Sequence, residues 1–255
     1  MNRAIDPIWL CATPGDQRAR QLAAVLELIP IVQNVRLVIF ATSGAGVDLE
    51  AAATTLRASG YVKYFENAYM PDDLASHARQ ELVRGYFDVV SLTYGELTQY
   101  GLNAACYERL LSEARQLKPR FERCLDFGCG PGTILGSTVL ATVPEVVGWD
   151  FSARMRRLAR THGLPVLRDV EFQEGPARFD VVLAAYVFHY GTVSSRMLRR
   201  IGEHLRIGGV LAANFHKNIG LEQFMSTLSR VPSLQLNSTI PTGIFGTIAV
   251  ASRSN

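Results

Sequence analysis

The chain has 255 residues, 48% hydrophobic and 19% charged, which supplies a sizeable core and excludes whole-chain disorder. Its formal net charge of +3 is too small to argue for a nucleic acid or an anionic membrane surface as partner. A prior of roughly 100–200 residues per domain favours one α/β domain carrying an extension.

In chain order, residues 17–28 read as a helix, 35–41 as a buried strand and 49–58 as a helix. The most apolar stretch, residues 21–41, contains Glu27, Pro30, Asn34 and Arg36 and so cannot span a membrane. With one convincing strand, residues 1–70 cannot build a complete doubly wound domain. They are expected to be an accessory α/β extension that caps a site or makes a subunit contact, including a homodimer contact. A boundary is expected near Pro71, followed by helices over 74–97 and 102–117, so that 71–120 form a helical cap. From residue 121 to 255, short apolar runs alternate with amphipathic segments, as βαβ units do. Strands are expected at 123–127, 145–150, 166–170, 179–186 and 209–215, with helices beginning near Gly132, Ser152 and Ser194. A helix near 221–228 then leads to two apolar runs, 233–240 and 243–252, joined tightly enough to form an antiparallel hairpin. The four cysteines, Cys11, Cys106, Cys124 and Cys129, show no metal-ligand spacing and suggest a reducing compartment. No secretion signal opens the chain, and a cytoplasmic location is expected.

The strongest chemical signal is Leu125-Asp126-Phe127-Gly128-Cys129-Gly130-Pro131-Gly132-Thr133. A buried strand runs into three alternating glycines, which permit a tight turn and close approach of a ligand to the backbone. The dinucleotide fingerprint G-x-G-x-x-G would require glycine where Thr133 stands, and Pro131 removes one N–H from the loop. Asp150 ends the next strand, 18 residues after Gly132, near the ~20-residue spacing at which an acid meets ribose hydroxyls. Phe151 is placed to lie against an adenine face. Asp169-Val170-Glu171 offers an acceptor for an exocyclic amine.

These motifs resemble those of the class I S-adenosylmethionine-dependent methyltransferases over roughly residues 86–255. The likeness rests on the glycine loop, Gly148-Trp149-Asp150-Phe151-Ser152, the run Phe179-Asp180-Val181-Val182 continuing to Tyr190, and Leu205-Arg206-Ile207-Gly208-Gly209-Val210-Leu211. It implies a seven-stranded, mostly parallel Rossmann-like sheet of order 3-2-1-4-5-7-6 and S-adenosyl-L-methionine as cofactor. It further implies that Asp126 and the loop Gly128, Cys129, Gly130 and Gly132 hold the methionine part, while Asp150 holds the ribose. Met155 would pack on the adenine, Ala185 would line the pocket, and Tyr94 would close over the cofactor. The family usually carries an acid after that tyrosine, where Gly95 stands here.

The acceptor is expected beyond the fourth strand, where ligands of open α/β sheets bind. Tyr186, His189 and Tyr190 are the catalytic candidates there, with Phe188 as an apolar wall and Asn214 and His216 following the fifth strand. His189, with an unperturbed pKa of about 6.5, suits a general base. Nucleic acid is not expected, because Ala184-Ala185-Tyr186-Val187 replaces the usual motif of such enzymes and no aromatic-interleaved basic patch occurs. Residues 151–210 hold ten arginines against five acids, mostly at spacings of solvated helix faces. The expected activity is methyl transfer to a small-molecule acceptor without a metal. Alternatives are non-methylating use of the cofactor, a regulatory cofactor-binding role, or a nicotinamide dehydrogenase, which Pro131 and Thr133 disfavour.

Overall fold

The computed structural model describes residues 8–42, 48–65, 68–91, 93–94, 100–175, 178–188, 191–216 and 218–254. The chain divides into two compact units, Met1–Tyr86 and Phe87–Asn255. Among the described residues, no helix is long and apolar enough to cross a membrane.

The first unit is built from β1 (Trp9–Ala12), α1 (Gln17–Val25), β2 (Leu28–Gln33), β3 (Val38–Thr42), α2 (Leu49–Ala58), β4 (Tyr61–Phe65) and β5 (Ala68–Pro71). Its sheet has the order β2-β3-β1-β5-β4, with β1 and β5 parallel and the remaining pairs antiparallel. The expectation of a single convincing strand in this region is corrected to five among the described residues. Four of these strands lack a readable period: β1 and β5 have four residues each, β2 carries Pro30 at a bulge, and β4 is mostly aromatic. Helix α1 stops earlier than its apolar pattern suggested, because Glu27 takes a positive φ and residues 28–33 turn into β2. Asp16 and Asp48 cap α1 and α2 by accepting from Ala19 N and from Glu50 and Ala51 N.

The division between the units falls within α3 (Ser76–Val90). The second unit continues with α4 (Tyr100–Arg115), β6 (Arg123–Phe127), a 3₁₀ turn (Thr133–Gly136), α5 (Val139–Thr142), β7 (Glu145–Trp149), α6 (Ala153–Thr161) and α7 (Asp169–Glu174). It ends with β8 (Phe179–Ala184), α8 (Ser195–His204), β9 (Leu205–Phe215), α9 (Asn218–Leu228), β10 (Leu234–Pro241) and β11 (Thr247–Arg253). The sheet order is β10-β11-β9-β8-β6-β7, parallel from β7 to β9 and closed by the antiparallel hairpin β10–β11. Strand alternation sends Cys124, Val181, Leu183 and Ala212 to one face against Cys106 and Leu110 of α4. Leu125, Phe127, Val182 and Leu211 go to the other face, against Leu198 and Ile201 of α8 and Phe224 of α9.

Two expectations for this unit are corrected. The third of the seven expected strands, at 166–170, shrinks to one parallel bridge between Gly148 and Val166, held by Gly148 N to Pro165 O (2.8 Å) and Leu167 N to Gly148 O (2.9 Å). Pro165 cannot donate, and the Glu171 carboxylate accepts from Arg168 N at 2.7 Å, drawing the chain into α7 after one pair. No long helix follows the glycine loop either. Its place is taken by the 3₁₀ turn and the four-residue α5, which ends before Pro144 and so leaves few outward N–H groups.

Candidate functional site

The glycine loop leaves β6 and crosses the C-terminal end of β7, which places it against Asp150. Gly128, Gly130 and Gly132 all have positive φ, of 77°, 52° and 93°. Three reasons for glycine can be separated. A Cβ on Gly128 would lie 2.4 Å from Val187 Cγ2, so packing of the protein alone requires glycine there. At Gly132 a Cβ would meet Leu135 at 3.3 Å and the Ala159 backbone at 3.5 Å. At Gly130 the nearest atom is the Tyr94 ring at 3.9 Å, an ordinary contact, so this is the position at which the protein itself leaves room.

The loop consumes its own donors. Gly128 N and Cys129 N both donate to Trp149 O (2.7 and 3.1 Å), Gly132 N donates to Cys129 O (2.9 Å), and Gly130 N donates to Asp150 Oδ2 (3.0 Å). Pro131 has no N–H. A phosphate cradle depends on outward N–H groups, and none of the four between Gly128 and Gly132 is left for one. Cys129 contributes backbone only, since its side chain is buried in the core beneath Gly148.

Asp150 is 5% exposed, its Oδ1 accepting from Ser152 N at 2.7 Å and its Oδ2 from Gly130 N. Each oxygen keeps a lone pair for a further donor. Burial pushes this carboxyl up to about 6, against the lowering effect of Ser152 N, Gly130 N and the Arg156 guanidinium. Asp126 is fully buried, Oδ1 accepting from the Tyr107 hydroxyl at 3.0 Å while Oδ2 has no hydrogen-bond partner among the described residues. Burial pushes it up to about 8, and the Tyr107 hydrogen bond lowers it less than burial raises it. A buried acid with an unsatisfied oxygen beside a second buried acid is a receptor for donors or positive charge, and it does not suit a phosphate.

Around this pair the predicted residues fall into distinct settings. Ser152 caps α6, its Oγ accepting from Met155 N (3.1 Å) and donating to Asp88 Oδ1 (2.6 Å). Met155 is buried, and Ala185 is 8% exposed. Phe151 is half-buried, its ring at 73° to Phe87 with centroids 6.1 Å apart, and Phe87 in turn lies 6.2 Å from Tyr94. Asp169 opens α7 and accepts from Arg156 Nη2 at 2.7 Å, while Val170 beside it is exposed. His189, Tyr190 and Gly95 lie outside the described residues.

Tyr186, two residues past the end of β8, has φ of 60°, a left-handed conformation that costs a non-glycine residue of order 1–3 kcal/mol. The conformation is held by Asn214, whose Oδ1 accepts from Tyr186 N at 2.6 Å and whose Nδ2 donates to Phe245 O at 3.1 Å. The Tyr186 ring stacks on His216 with centroids 5.0 Å apart at 9°. Its hydroxyl is buried beside Cys106, and the desolvation raises its pKa. The ring rather than the oxygen meets His216. Phe188 is corrected from an apolar wall to a core residue, fully buried against Phe127, Phe215 and Phe224.

Sequence reasoning missed Tyr107, which is contributed by a distant helix and has no local signal. It also did not single out Arg156 from ten arginines read as mostly solvated, although Arg156 shares the buried stripe of α6 with Met155 and Ala159. Its Nη1 donates to the Asp150 carbonyl and its Nη2 to Asp169.

Residues 125–211 match a family model described as a methyltransferase domain. A trans-aconitate 2-methyltransferase of Deinococcus radiodurans is 33% identical over 102 residues, 38% of this chain and 39% of that protein. The match thus spans about two fifths of the curated relative's length. Among solved structures, the sugar N-methyltransferase KedS8 from Streptoalloteichus sp ATCC 53650 superposes with a TM-score of 0.51 at 17% identity, covering 64% of this chain and 92% of its own. A candidate S-adenosyl-L-methionine-dependent methyltransferase from Methanococcus maripaludis gives 0.50 at 14% identity, over 69% of this chain and 94% of its own. At these identities the likeness is one of fold.

Proposed function

We propose that this chain is a class I S-adenosylmethionine-dependent methyltransferase, a reading supported by the methyltransferase-domain match over residues 125–211, and that it binds S-adenosyl-L-methionine and transfers its methyl group to a small-molecule acceptor. One observation carries the reading. The four N–H groups between Gly128 and Gly132 are all bonded within the protein, and Gly130 leaves room beside the Asp150 carboxylate. Such a site has nothing for a pyrophosphate and an acceptor for ribose hydroxyls, so it fits a nucleoside without phosphates and argues against a nicotinamide dinucleotide.

The cofactor supplies an electrophilic methyl on a sulfonium centre when bound. In this reading Asp150 accepts from the ribose hydroxyls, Phe151 and Met155 line the adenine, and Asp169 with Val170 meets its amine edge. Asp126, together with Gly128, Cys129, Gly130 and Gly132, borders the methionine part, with Ala185 at the wall and Tyr94 over the loop. Tyr186, His189 and Tyr190 remain the residues proposed for the acceptor side, with His189 taking the proton where the acceptor atom is an oxygen or nitrogen. Placement at near-attack distance accounts for most of the rate. Residues 1–70 act as an accessory extension, with a homodimer contact as one of its roles, residues 71–120 as a helical cap, and residues 121–255 as the cofactor core. The small-molecule class is supported by the relatives named above, a trans-aconitate methyltransferase and a sugar N-methyltransferase.

Calorimetry with S-adenosylhomocysteine on the full chain tests the cofactor. Wild type should bind it and not NAD, and Asp150→Ala should lose roughly 1–3 kcal/mol, the range for charge-assisted hydrogen bonds. Preference for NAD, or unchanged affinity in Asp150→Ala, would refute the assignment. Mass analysis after incubation with S-adenosylmethionine and candidate metabolites should show S-adenosylhomocysteine, whereas methylthioadenosine would identify intramolecular displacement instead.

A further inference from the structure

Arg156 is an arginine in a position where helix α6 buries its side chains. Its side chain is 8% exposed, and its guanidinium bridges two segments that come together only in the folded sheet. Nη1 donates to the backbone carbonyl of Asp150, at the end of β7, and Nη2 donates to Asp169 Oδ2, at the start of α7. Among the described residues, one bridge, Gly148–Val166, pairs the chain before Asp150 with the chain leading to Asp169. With the third strand reduced to that bridge, one planar fork supplies the rigidity that a longer ladder would give. Asp169 spends one oxygen on Arg156, yet its side chain is 55% exposed, which leaves acceptor capacity turned toward solvent.

Resting on the cofactor assignment above, we infer that Arg156 is a positioning residue that locks Asp150 and Asp169 into one frame, so that the adenosine half of the site selects a 6-amino purine over a 6-oxo purine. A fixed carboxylate accepts from an exocyclic amine and repels a carbonyl oxygen at the same place, and unpaired polar groups in a built site discriminate strongly. The fork fixes where that carboxylate sits. It also places a positive charge behind Asp150, whose other charged or titratable neighbours among the described residues are Asp88, Asp126 and Cys129. Of this set only Arg156 favours the ionised form of Asp150.

The test uses the full chain with S-adenosylhomocysteine and S-inosylhomocysteine as probes, titrated calorimetrically from pH 5 to 8. Wild type should prefer the adenosyl compound, with affinity falling as pH drops through the Asp150 transition near about 6. Arg156→Met should weaken S-adenosylhomocysteine by about 10-fold or more, erase most of the preference, and move the pH midpoint up by about one pH unit. Arg156→Lys, which restores charge without the fork, should return the midpoint but not the preference. A lower melting temperature in Arg156→Met with unchanged affinity, preference and midpoint would reduce the residue to a structural prop and overturn the inference. Should Arg156→Met not fold, Asp169→Asn keeps the guanidinium's bond to Asp150, and retention of the wild-type preference in that variant would overturn it equally. Failure of wild type to bind either compound would instead strike down the cofactor assignment itself, an outcome distinct from the other two.

Discussion

Replacing Asp126 by asparagine should make the protein more stable at neutral and alkaline pH, although it removes an acid from the centre of the site. Asp126 is fully buried, and burial raises its carboxyl from 3.8 to about 8. Between those values the folded protein keeps a proton that the unfolded chain releases, so stability falls as pH rises. At 1.36 kcal/mol per unit, the cost reaches about 2 kcal/mol at pH 5, about 4 at pH 7 and about 5 at pH 8. Asparagine retains an oxygen for the Tyr107 hydroxyl and cannot titrate. Urea unfolding of both proteins without cofactor at pH 5, 6, 7 and 8 should therefore show the difference moving in favour of Asp126→Asn by about 3–4 kcal/mol across the range. Asp150, also raised by burial, slopes the same way up to about 6, but does so in both proteins and cancels in the difference. Parallel stability curves would show that Asp126 does not retain its proton and that the physical account of the buried acid pair is wrong.

Gly128→Ala should destabilise the fold with or without cofactor, by about 2–4 kcal/mol in urea unfolding, because a Cβ would stand 2.4 Å from Val187 and φ is 77°. Gly130→Ala, whose Cβ would have 3.9 Å clearance, should cost only about 1 kcal/mol of stability while weakening S-adenosylhomocysteine much more. Equal effects on stability from the two glycine variants would contradict the separation of roles. Asn214→Ala should cost about 2–4 kcal/mol by thermal unfolding, since Tyr186 N and Phe245 O both lose their partner in the interior. A melting temperature within 1–2 °C of wild type would show that Tyr186 keeps its conformation unaided.

The glycine loop, Asp150, the Ser152 cap and the terminal hairpin were legible in the sequence because each is local. A turn chemistry, a strand end and a helix start lie within a few residues of one another, and their spacing carries the meaning. Helix α2 and the strand β6 were legible for the same reason, through a clear apolar period. The alternation of apolar runs from residue 121 onward was enough to specify a parallel sheet closed by a hairpin.

Tertiary structure decided the rest. Four strands of the first unit are four to six residues long and are strands only because neighbours pair with them, so no period announces them. The loss of the third core strand was settled by competition between one bridge and the start of α7, and local apolarity could not weigh the two. Arg156 has the composition of a solvated side chain, and its burial depends on Asp150 and Asp169 converging from separate segments. Tyr107 reaches Asp126 from 19 residues away, and Asn214 reaches Tyr186 from 28. Spacing along a chain reports which residues share a strand end or a helix face. Which buried charge finds a partner is fixed only when the elements pack.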